Sequence, residues 1–143
     1  MKKRRLFRGA TLIDGTGAEP LKNSFLLVEG GRIEASGMEG RDELPDFDEL
    51  VDLSGKYLIP GLMNCHTHVV MDPVPDMQAF AREQTPVTFA VRGVRNLQTL
   101  LRSGTTFIRD MGAPYAVDLG LKKCMGEGLF QGPEMYCSAR MIT

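Results

Sequence analysis

The chain contains two histidines, His66 and His68, with a single residue between them. On a β-strand successive side chains alternate faces, so both imidazoles point one way, roughly 6–7 Å apart at the backbone. Two ring nitrogens so placed can converge on one ion at metal–nitrogen distances of about 2.0–2.1 Å. Alternation sends Cys65 and Thr67 to the opposite face, which makes Cys65 a packing residue rather than a third donor. Two hydrogen-bonded histidines at a strand end remain the other reading of the same spacing. Asn64 falls on the histidine face and is a candidate support that orients the site. Asp110, at the end of a second predicted strand, is either a carboxylate ligand or an ionic or hydrogen-bonding support. Asp72 reads as a solvated loop carboxylate and Arg109 as a structural residue that alternates away from Asp110.

The elements that must carry these residues fall into two textures. Residues 1–58 read as short strands with turns: Leu6–Ile13, Ser24–Val28, Ile33–Ser36, Glu49–Leu53 and Lys56–Ile59. Gly30-Gly31 between two of these runs is a two-residue hairpin signal. The acidic stretch from Gly37 to Glu49 reads as an exposed loop. Residues 59–143 change character. An apolar strand leads into His66 and His68, and Pro73, Pro75 and Asp76 mark a long loop. Helical spacing then places Val87, Ala90, Val91, Val94, Leu97, Leu100 and Leu101 on one stripe, with Arg92, Arg95, Gln98 and Arg102 off it. Thr85-Pro86 is a start signal and Ser103-Gly104 a stop. A β-branched strand, Thr105–Ile108, follows, then a helix over Ala116–Met125 and a strand over Met135–Ser138. Strand, helix, strand, helix, strand is the pattern of parallel β/α units.

Composition narrows the classes of function. Seventeen Lys+Arg against eighteen Asp+Glu give a formal charge of -1, without the basic excess that nucleic-acid or anionic-membrane binding needs. No apolar run reaches the eighteen or so residues of a membrane span. The basic Lys2–Arg5 is followed by too short an apolar stretch for a secretory signal. Cys65, Cys124 and Cys137 are odd in number and far apart, which suggests a reducing, cytoplasmic setting. Phosphate-cradling glycine loops and nucleophile elbows are absent from the sequence. The nine methionines read as adaptable packing.

The segment Pro60-Gly61-Leu62-Met63-Asn64-Cys65-His66-Thr67-His68 resembles the first barrel strand of the amidohydrolase superfamily. Asp14-Gly15-Thr16-Gly17, Glu29-Gly30-Gly31-Arg32-Ile33, Asp52-Leu53-Ser54-Gly55-Lys56 and Ser103–Gly112 match its other segments in order. The likeness is greatest to the imidazolonepropionase-like and Xaa-Pro dipeptidase-like branch. It implies an α/β fold: part of a composite β-sandwich over residues 1–58, then the first three strands of a (β/α)8 barrel over 59–143. It implies His66 and His68 as metal ligands, one or two divalent ions, zinc foremost, and metal-activated water attacking an amide or other C–N bond. The implied substrate is a small cyclic amide or dipeptide-like molecule. The superfamily's bridging lysine or glutamate, later histidines and late aspartate have no counterpart here. Lys122 and Lys123 lie on a predicted helix. The expectation is therefore the amino-terminal part of such an enzyme, with little activity alone, completed by the rest of a barrel or by other copies. The alternative is a non-catalytic relative that serves as a binding or assembly module.

Overall fold

A computed structural model describes residues 2–140. The chain divides between Pro60 and Gly61 into two compact units. The first unit is one five-stranded sheet: β1 (Arg4–Leu12), β2 (Leu21–Glu29), β3 (Arg32–Met38), β4 (Glu49–Asp52) and β5 (Tyr57–Leu58). Strands β3, β2 and β1 are antiparallel neighbours, and β4 and β5 both run parallel to β1. The β2–β3 hairpin turns at Gly30 and Gly31, whose φ angles of 58° and 81° are the two positive values a tight hairpin of this length requires. Leu6 and Leu27 face each other across β1 and β2 and, with Phe25, form a buried cluster against which Ala35 packs. Ser24 is also buried, and its hydroxyl donates to the Ala10 carbonyl at 2.9 Å, so its polarity is not left unsatisfied.

The second unit contains β6 (Leu62–Thr67), α1 (Met77–Arg82), α2 (Pro86–Arg102), β7 (Thr105–Asp110), α3 (Val117–Gly126) and β8 (Glu134–Cys137). The three strands form a parallel sheet in the order β6-β7-β8, with helical crossovers as parallel neighbours require. Helix α2 begins where Thr85-Pro86 predicts. Thr85 Oγ1 accepts from the Thr88 amide at 3.2 Å, and Thr88 Oγ1 accepts from the Thr85 amide at 2.9 Å. This reciprocal pair satisfies amide groups that the helix start would otherwise leave open. The loop expected after His68 carries one element more. Asp76 caps α1 by accepting from Gln78 and Ala79 at 3.0 and 2.9 Å.

The buried face of α2 differs from the predicted stripe. Phe89, Gly93 and Leu97 are its buried residues, while Val87 and Val91 are 70% and 65% exposed. Apolar residues lie on more than one side of this helix, and contact with its neighbours selects among them. Gly93 sits where a Cβ would overlap the Leu121 side chain of α3, so the helices pack closely along the Phe89–Gly93–Leu97 line. With Val69, Val70, Ile108, Ala113, Leu121 and Met135, Phe89 and Leu97 make the core of this unit. Two apolar residues of the sheet's other face stay exposed. Met63 and Tyr136 are 70% and 59% exposed, and Phe107 and Tyr136 meet edge to face at 5.1 Å.

Candidate functional site

His66 lies on β6 and His68 just past its end, on the side of the sheet where the strands finish. The pairing of β6 with β7 sets Asn64 against Ile108 and Thr67 against Asp110. Three steps on β6 therefore match two on β7, a bulge at Cys65–His66 that breaks strict alternation. The two rings still lie side by side, with centroids 5.6 Å apart and planes at 71°. Arg109 of β7 donates through Nε to the Cys65 carbonyl at 2.7 Å, the structural use expected of it.

Strand β6 is exposed from Leu62 to His66, so one expectation drawn from alternation fails. Cys65 is exposed rather than packed. Asn64, paired with Ile108, makes its side-chain bond within its own strand. Its Oδ1 accepts from the His66 amide at 3.1 Å and so fixes the backbone at His66.

His68 is half-buried and is the more constrained of the two. It opens a tight turn in which the Met71 amide donates to the His68 carbonyl at 3.0 Å, and Val69 and Val70 of that turn are core residues. His68 Nδ1 lies 2.9 Å from the Gly112 carbonyl. A carbonyl can only accept, so Nδ1 carries the hydrogen and Nε2 of the neutral ring keeps its lone pair.

Asp110 ties this turn to the next strand end. The side chain is fully buried; Oδ2 accepts from the Val69 amide at 2.7 Å and Oδ1 from the Gly112 amide at 3.0 Å. Burial pushes its carboxyl above the usual range, more strongly than these two hydrogen bonds pull it down, and the nearby Asp118 charge adds to the rise. Asp110 thus holds Val69, which follows His68, and Gly112 itself, on the two sides of the His68–Gly112 contact.

Asp72 is not the solvated loop carboxylate the sequence suggests. It accepts from Arg92 and Arg95 of α2. Burial by itself would raise its carboxyl. Hydrogen bonds from Asn96 and Arg92 and the two guanidinium charges outweigh that and hold it below the usual value.

Two contributors escape sequence reasoning. Asn96 of α2 binds the backbone of the turn after His68 through Nδ2, to Val69 O at 2.9 Å and Met71 O at 3.2 Å. Asp118, buried in the first turn of α3, accepts from the Ala139 amide at 2.9 Å and holds the segment after β8. An acidic residue in a helix's first turn is a start signal, which marks Asp118 without revealing this bond. Asn96 carries no such mark. Tyr115, Ala116 and Ala139, all beyond strand ends, adopt positive φ of 58°, 53° and 64°.

Among the described residues no third His, Cys, Asp or Glu joins the pair in a group able to hold a metal ion. The two imidazoles are nitrogen donors of the kind zinc and related divalent ions accept.

The model of the Amidohydrolase family matches residues 57–143, the stretch that carries the histidines and all three parallel strands. The chain belongs to the amidohydrolase family. A 5-methylthioadenosine/S-adenosylhomocysteine deaminase of Bacillus cereus (strain B4264) is 32% identical over 116 residues, covering 70% of this chain and 26% of that protein. Among solved structures, a Xaa-Pro dipeptidase with bound methionine in its active site superposes with a TM-score of 0.85 at 23% identity, covering 97% of this chain and 34% of that one. A prolidase complexed with N-methylphosphonate-L-proline superposes at 0.78 with 25% identity, covering 95% and 32%. This amidohydrolase chain, with its mixed sheet and three-stranded parallel sheet, spans about a quarter of the curated relative's length and about a third of those structures. No helix among its described residues is long and apolar enough to cross a membrane.

Proposed function

We propose that this chain is part of a metal-dependent hydrolase in which water attacks an amide or other C–N bond of a small cyclic amide or dipeptide-like substrate. His66 and His68 would be ligands to one of the one or two divalent ions of the complete enzyme, zinc being the best match to imidazole donors. The adjacency of the two rings, 5.6 Å apart at the strand end, carries this reading. A bound ion of this kind brings the acidity of water close to neutral pH. The chain's own residues prepare the donors. The Gly112 carbonyl keeps the hydrogen of His68 on Nδ1, Asp110 braces the two turns that meet there, and Asn64 fixes the backbone of His66. The family assignment, the deaminase relative and the structural likeness to dipeptidases support C–N bond chemistry.

Catalytic zinc sites use three protein ligands and an open position, and His66 and His68 supply two. We therefore place the remaining ligands, and the residues that choose the substrate, outside these 143 residues. Residues 1–58 form part of a sandwich domain and 59–143 the start of a barrel, whose usual extent is about 250 residues. Three unpaired thiols fit a cytoplasmic setting.

The test is a zinc titration of the chain followed by the histidine ring signals in NMR, with amide hydrolysis assayed alongside. Zinc should shift both ring signals in the parent, and His66→Ala should abolish binding. Turnover should be absent or very weak. Ring signals indifferent to zinc would overturn the ligand assignment, and robust metal-dependent turnover lost in His66→Ala would overturn the incompleteness. The module reading is favoured instead if a longer parent chain carrying these residues binds neither metal nor substrate.

A further inference from the structure

We propose that Asn96 is a positioning residue for His68, setting the imidazole through the backbone of the turn that His68 opens. The inference rests on the reading of His68 as a metal ligand. The orientation of the Asn96 amide is settled by its partners. Oδ1 lies 3.1 Å from both Nε and a terminal nitrogen of Arg95, which can only donate. Nδ2 faces the carbonyls of Val69 and Met71 and, at 3.4 Å, Oδ1 of Asp72, all of which can only accept.

The turn from His68 to Met71 is thus held from two elements at once. From β7, Asp110 takes the Val69 amide at 2.7 Å. From α2, Asn96 takes the Val69 carbonyl on the same residue and the Met71 carbonyl two positions on. Val69 directly follows His68, so fixing both of its peptide groups leaves the His68 backbone little freedom. The side chain is fixed at the far end by Gly112. Without Asn96 the Val69 and Met71 carbonyls lose their donor, the turn relaxes, and the 2.9 Å contact to Gly112 is no longer enforced. Residues that orient metal-binding histidines typically change metal affinity about 10–100-fold when removed.

The experiment uses the 143-residue chain, its Asn96→Ala and Asn96→Asp variants, and Gln98→Ala as a control on the same helix. Ring nitrogen chemical shifts report which nitrogen of His68 carries the hydrogen, and zinc titration reports affinity. The parent and Gln98→Ala should show hydrogen on Nδ1 alone. Asn96→Ala should show a mixture of tautomers and about tenfold weaker zinc binding, with signals of β7 and β8 preserved. Asn96→Asp keeps the size but offers no donor, so it should behave likewise and serves if Asn96→Ala does not fold. Unchanged His68 shifts and zinc affinity in a folded variant would overturn the proposal while leaving the ligand assignment intact. Tautomer mixing in Asn96 variants of a chain that binds no zinc would uphold the positioning and remove the ligand assignment. Unfolding of both variants would overturn it, since Asn96 would then be a determinant of the fold.

Discussion

Asp110 takes on two tasks that conflict in a buried carboxylate. Burial disfavours its charge, while two backbone amides from different turns depend on it as acceptor. Removing it leaves both amides without a partner in the interior. Asp110→Ala is therefore expected to cost about 2–4 kcal/mol in urea unfolding; a loss under 1 kcal/mol would contradict the bracing role. Asp72 has the opposite electrostatics, its carboxyl being held below 3.8. A depressed carboxyl contributes stability above its unfolded value and loses it as pH falls through the folded one. Asp72→Asn should destabilise the chain by about 1 kcal/mol at pH 7. The gap to the parent should close as pH drops below 3.8, and a gap independent of pH would refute the ionic origin. Among the thiols, burial, followed by the Asp118 and Asp110 charges, pushes Cys137 up to about 11. At pH 8 only about one Cys137 in a thousand is then thiolate. Exposed Cys65 should be alkylated by iodoacetamide first and Cys137 far more slowly, as peptide mass mapping would show.

At the scale of elements, the seam between α2 and α3 is narrow because Gly93 has no side chain. Alanine there gains helix propensity of up to about 1 kcal/mol, but the overlap with Leu121 in a close-packed core costs about 1–3 kcal/mol. Gly93→Ala should be net destabilising, and Leu121→Ala destabilising on its own account. The double variant should be more stable than the sum of the two single losses, because the second change makes room for the first. Strict additivity in thermal unfolding would mean that the helices are not in steric contact at this point. The same seam explains why the α2 stripe was only half legible. Leu97 was on it, Phe89 and Gly93 were not, and Val87 and Val91 are exposed. The strand–helix alternation, the Thr85 cap and the glycine hairpin were readable because each is encoded within a few neighbouring residues. The bulge at Cys65–His66 was not, since it depends on register against β7.

For the molecule as a whole, the parallel sheet presents β6 as an edge strand among the described residues, with Leu62 and Met63 52% and 70% exposed. An unpaired edge next to exposed apolar side chains is a template for another strand. In sedimentation the chain by itself should therefore run as concentration-dependent assemblies, and Met63→Lys should shift it toward smaller species. A compact monomer at all concentrations would argue against an uncovered sheet.

What the sequence determined by itself was local and chemical: two imidazoles one residue apart, the caps and turns that start and stop elements, and the β/α alternation. These follow from side-chain type and short-range backbone preference, which need no partner. Only the tertiary structure decided how those imidazoles are held. The ring of His68 is set by a carbonyl 44 residues away, and the turn after it by Asp110 from β7 and Asn96 from α2. Such bonds join residues distant in the chain, and their geometry exists only after packing has fixed register and helix face. The same packing turned Asp72 from a solvated loop acid into the partner of two arginines.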